Sequence, residues 1–139
     1  MDTIYRLIIQ IPILLITLTI HEFSHGYVAY LLGDDTAKRA GRLTLNPISH
    51  IDPFGLLMLF IAHIGWAKPV PVNPYNFVNQ KRDMAITAAA GPVSNFVMAI
   101  ILSVVFNLLK SANPNILYSG SLFSQFFTSM LVYAILINL

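Results

Sequence analysis

The sequence predicts an all-α polytopic membrane protein, with about three transmembrane helices and a re-entrant, β-hairpin-like segment between the first two. Composition is the first reason: of 139 residues, 56% are hydrophobic and 10% charged, against about 25% charged in an average soluble domain. A soluble chain of this size cannot hide that much apolar surface. The second reason is three long apolar runs, Leu7 to Leu32, Met84 to Leu109 and Ser121 to Leu139. The third is a shorter run, Phe54 to Trp66, which cannot cross. Residues 1–139 read as a single membrane-embedded core with no internal repeat. A net charge of +2 on scattered basic residues excludes a nucleic-acid footprint. The absence of cysteine excludes disulfides, thiolate nucleophiles and cysteine-held zinc, leaving histidine and carboxylate as strong metal ligands.

Leu7 to Leu32 makes roughly 39 Å of helix, enough to cross a ~30 Å core with tilt. It is too long for a signal-peptide core and has no small-residue cleavage site, so it is read as retained. Gly33-Asp34-Asp35 ends it, glycine being a common helix stop. Inside the run sits His21-Glu22-Phe23-Ser24-His25. On a helix His21 and His25 lie one turn apart on one face, so their rings can converge on a single cation, with Glu22 projecting beside them. A zinc hydrolase uses two neutral imidazoles and a glutamate base in this way. An exposed i,i+4 histidine pair is the bland alternative, but in hydrocarbon each ionisable group costs a few kcal/mol and needs a partner.

A polar connection follows. Gly41 to Leu45 alternates polar and apolar, which favours a short strand, and Asn46-Pro47 marks a turn. Such a strand could pair with an extended substrate backbone, or the segment is an ordinary interfacial loop. Phe54 to Trp66 covers about 20 Å as helix and is read as re-entrant or interfacial, with His63 packed near its end. Trp66 to Pro74, holding Pro69, Pro71 and Pro74, cannot be helix and reads as extended loop.

In the second span, Ala88 to Asn95 is a run of small residues that admits another helix closely. Gly91-Pro92 is expected to bend or open the helix, presenting Asn95 at membrane depth, where an interhelical hydrogen bond is the plain alternative to a functional role. The third span stops at Ile137-Asn138-Leu139 without cap or polar tail, so the chain is expected to be incomplete at its C-terminus. Six basic residues between the first two spans (Lys38, Arg39, Arg42, Lys68, Lys81, Arg82) against Arg6 and Lys110 elsewhere place that connection, and the nearby histidines, on the cytoplasmic side. The expectation is a multi-pass protein of the cell membrane.

Four ordered blocks resemble the site-2 protease family of intramembrane zinc metalloproteases, in its small prokaryotic form without an inserted regulatory domain. They are His21 to His25; Gly41 to Pro47 with His50, Asp52-Pro53 and Gly55; Gly65 to Pro74; and Ala90-Gly91-Pro92 with Asn95. The resemblance implies that His21 and His25 bind Zn2+, that Glu22 is the general base, and that transmembrane protein substrates in the lipid bilayer are cleaved. It also implies a third ligand, an aspartate lying beyond a stretch similar to Leu136 to Leu139. His50 and Asp52 are chemically able to replace it, but the resemblance assigns them to a structural hairpin, and Asp52-Pro53 looks like a turn or helix-start device. The resemblance places Asn95 near the active site, and its amide is expected from that position to bind substrate backbone or the oxyanion. The rival readings are a non-enzymatic zinc carrier or sensor and an inactive interaction module in which the histidines pair by hydrogen bonds.

Overall fold

The structure is a computed structural model that describes residues 2–62, 64–112, 122 and 124–129. The helices α1 (Asp2–Leu31), α2 (Thr36–Arg39), α3 (Pro53–Ala62) and α4 (Gln80–Ala112) appear among them, with 3-10 turns at Pro47–His50 and Pro74–Asn76, and residues 124–129 are also helical. The chain divides into two compact units, one formed by Met1–Thr17 with Val93–Leu139 and the other by Leu18–Pro92.

In the first unit Ile13 is fully buried, and Thr17 returns its hydroxyl to the Ile13 carbonyl at 3.0 Å, a turn back on the same helix. Phe106 and Phe127 stand with ring centroids 6.3 Å apart. The α4 side chains of Val93, Phe96, Ile101 and Val104 are exposed, an apolar surface suited to lipid.

The second unit carries the polar chemistry. α1 stops in a Schellman turn: Gly33 takes φ 104, its amide bonds the Tyr30 carbonyl, and the Asp34 amide bonds that of Ala29. Glycine is needed because an L side chain rarely adopts that φ. α3 begins where Asp52 Oδ1 accepts the Gly55 amide at 2.8 Å, which satisfies an orphan donor of the first turn. α4 begins with a reciprocal cap: Asn79 Oδ1 accepts from the Arg82 amide, and Asp83 Oδ2 accepts from that of Asn79. The helix then runs unbroken through Gly91 and Pro92 to Ala112, where the sequence predicts an opening.

The predicted architecture needs correction in two respects. Among the described residues one helix, α4, is long and apolar enough to cross a membrane, not about three. From Ile11 onward α1 carries Thr17, Thr19, His21, Glu22, Ser24 and His25, which dilute its apolar run. The third predicted span, Ser121 to Leu139, lies largely outside the described residues, as does His63. The β-hairpin-like segment is also absent: Gly41 to Leu45 forms no strand, and the described residues hold a single isolated antiparallel bridge, Ile51 with Ala67. Gly41 turns the chain at φ 66, and Asn46 caps the 3-10 turn that follows by accepting the Ile48 amide. Alternation in five residues does not outweigh turn chemistry at both ends.

Candidate metal centre

His21 and His25 meet as the one-turn spacing on α1 requires. Their Nε2 atoms are 3.1 Å apart, with the rings edge to face, 80° between planes. His25 is oriented from outside its own helix, because its Nδ1–H donates to the Thr87 carbonyl on α4 at 2.7 Å. That bond commits the Nδ1 proton and turns a bare Nε2 lone pair toward His21. Two things can satisfy the lone pair: a proton on His21 Nε2, or a cation held by both rings.

The donor set fits a cation. Tetrahedral zinc with Zn–N bonds of 2.0–2.1 Å separates its ligand nitrogens by about 3.3 Å, close to the 3.1 Å observed. Gly91 on α4 lies directly over the pair. A Cβ built there would meet His25 Nε2 and stand 2.5 Å from His21 Nε2. Space at the two lone pairs therefore exists because residue 91 has no side chain. Among the described residues no third His, Cys, Asp or Glu joins them to make a metal-holding group.

Glu22 follows His21 on α1, and its Oε2 accepts the Val70 amide at 3.0 Å. Val70 is buried in the extended segment between Trp66 and the 3-10 turn at Pro74. The structure thus brings His21, Glu22 and His25 together within the second unit. Asn95 is fully buried but belongs to the first unit.

The substitute ligands have other roles. Asp52 caps α3, as above. His50 is buried, and its Nε2–H donates to the Thr44 carbonyl at 2.8 Å, which closes the loop from Thr44 to His50.

In sequence Asp34 reads only as part of a helix stop, yet its carboxylate is fully buried and organises this unit. It accepts the Asn73 amide at 2.7 Å, the Asn76 side-chain amide at 2.7 Å, and both the Thr36 amide and hydroxyl, at 3.1 and 2.5 Å. Burial pushes its pKa up, but the hydrogen bonds from Thr36, Asn73 and Asn76 together outweigh it, so Asp34 is held below the usual carboxylate value. The sequence signal for this role is the pair of asparagines in Asn73-Pro74-Tyr75-Asn76, a turn with side-chain donors to spare. Thr87 and Val70 contribute backbone atoms, which no residue type announces.

The chain is 51% identical over 88 residues to "Putative zinc metalloprotease YwhC" of Bacillus subtilis (63% of this chain, 40% of that protein). It is 32% identical over 129 residues to "Putative zinc metalloprotease Rip2" of Mycolicibacterium smegmatis (90% of this chain, 49% of that protein). The Rip2 of Mycobacterium tuberculosis is 33% identical over 118 residues, 81% of this chain and 45% of its own length. This chain therefore spans half or less of the length of these relatives. No family model matches, and no solved structure matches. On these matches the chain is similar, over most of its own length, to proteins named as zinc metalloproteases, in line with the resemblance of its four sequence blocks to the site-2 protease family.

Proposed function

We propose that this chain carries the metal-binding and proton-transfer residues of a zinc metalloprotease that hydrolyses peptide bonds of membrane-embedded substrates. The observation that carries the reading is the pair of Nε2 atoms 3.1 Å apart, beside Glu22 and under a glycine, in a homologue of zinc metalloproteases. His21 and His25 would hold the ion. Bound there, zinc would supply Lewis acidity toward the attacking water and the oxygen of the scissile carbonyl. Glu22 accepts the proton of the attacking water and returns it to the leaving amine. The Val70 amide engages Oε2, which leaves Oε1 for that transfer.

A substrate helix hides its peptide bonds, so it must unwind locally before attack. Placement in the cell membrane is supported by α4, long and apolar enough to cross it, and the basic residues between α1 and α4 favour a cytoplasmic-facing site. The reading does not depend on Asn95.

Glu22→Gln in the native full chain tests it. Hydrolysis of a transmembrane substrate in vesicles should fall at least about 100-fold, within the range general acid–base catalysis supplies, while the protein keeps its zinc. Wild-type hydrolysis by the variant would remove Glu22 from the chemistry. Zinc content unchanged by a His21→Ala, His25→Ala double substitution would move the metal elsewhere.

A further inference from the structure

The structure assigns a positioning role to Pro69-Val70-Pro71: this strap sets the orientation of Glu22 through its single amide donor. Proline has no N–H, so Val70 provides the only backbone donor among the three residues, and that donor is spent on Glu22 Oε2 at 3.0 Å. Prolines on both sides also confine the segment to extended backbone, so the N–H is held in direction with little freedom.

The strap is tied on either side of Val70. Before it, the Lys68 amide bonds the His50 carbonyl at 3.0 Å, and Arg42 Nη2 donates to the Lys68 carbonyl at 2.7 Å. After it, the Asn73 amide is held by Asp34 Oδ2 at 2.7 Å. Between these anchors the Val70 side chain seats on α1 at Gly26, where a Cβ would come within 2.9 Å of Val70 Cγ1. The site thus has a bond from α4 orienting His25 and one from the strap orienting Glu22. Val70 and Asp34 are positioning residues, and they act through Glu22. The inference rests on the reading of Glu22 as the base, and its first test is independent of that reading.

The contact itself is read by amide hydrogen exchange at Val70 in the native full chain in detergent. Exchange should be slow in the wild type and at least about 10-fold faster in Glu22→Ala. Equal rates in the two proteins overturn the proposal, whatever the enzyme does. The consequence is read by Val70→Pro, which removes the donor, beside Val70→Ala, which keeps the donor and removes the side chain. Displacement of a catalytic group by about 1 Å can cost 100-fold, so Val70→Pro should lower kcat about 10- to 100-fold, with KM within about twofold and zinc retained. Val70→Ala, which keeps the donor, should cost at least about fivefold less in kcat than Val70→Pro. Equal kcat losses in the two variants would show that packing at Gly26 is what matters, and would overturn the orienting role. Wild-type activity in Glu22→Gln would instead defeat the functional reading while leaving the exchange result standing.

Discussion

Gly91→Ala separates a metal centre from a hydrogen-bonded histidine pair. The added Cβ would meet His25 Nε2 and lie 2.5 and 2.6 Å from Nε2 and Cε1 of His21, where non-bonded heavy atoms prefer about 3.5–4.0 Å. An overlap of about 1 Å cannot be absorbed without moving a ring or a helix. Overpacking of this kind costs about 1–3 kcal/mol, and alanine returns up to about 1 kcal/mol in helix propensity. The net stability loss is therefore about 0–3 kcal/mol, and stability alone is a blunt readout. Metal affinity is sharper. The rings can escape the methyl group only by separating their lone pairs or by breaking the 2.7 Å bond from His25 to Thr87, and loss of such a support typically costs 10- to 100-fold in affinity. Zinc affinity of the native full chain, measured by competition with a chromophoric chelator in detergent, should fall by at least about 10-fold. Wild-type affinity in Gly91→Ala would refute the argument, since a cation held by His21 and His25 would then not need the space that glycine leaves beside their Nε2 atoms.

Two further outcomes concern the second unit. Because the pKa of Asp34 is lowered in the folded protein, its contribution to stability is complete above the ordinary value of 3.8 and is lost as pH falls through the lower folded value. Thermal melting of Asp34→Asn against wild type should show a constant deficit from neutral pH down to about 5 that narrows below 3.8; a deficit independent of pH would rule out the charged carboxylate as its source. Gly55→Ala should destabilise by about 1–3 kcal/mol, since its Cβ would strike the Trp66 carbonyl oxygen and stand 3.1 Å from the Trp66 carbonyl carbon. Backbone cannot swing away as a side chain can, and an unchanged melting temperature would show that the two segments are free to part.

Much of the metal centre is legible in the order of residues. His21 and His25 converge because four residues make about one helical turn, and a helix through that stretch follows from its apolar run. Glu22 comes with them, and Asp52 reads as a turn or helix-start device, of which its bond to the Gly55 amide selects the second. The strand expected at Gly41 to Leu45 does not form, because alternation over five residues is a weak preference and the turns at Gly41 and Asn46 are strong ones. Among the described residues the expected count of spans is too high for a related reason: the apolar run of α1 is interrupted by the polar residues Thr17, Thr19, His21, Glu22, Ser24 and His25.

Local pattern by itself therefore determined which side chains can bind a metal and that two of them share a helix face. Tertiary structure alone decided how they are held. His25 takes its orientation from a carbonyl 62 residues away, Glu22 from an amide 48 residues away, and Asp34 gathers donors from 39 and 42 residues along the chain. Backbone donors and acceptors are the same at nearly every position, so they leave no mark in residue identity. Which of them reaches the site depends only on where the chain returns.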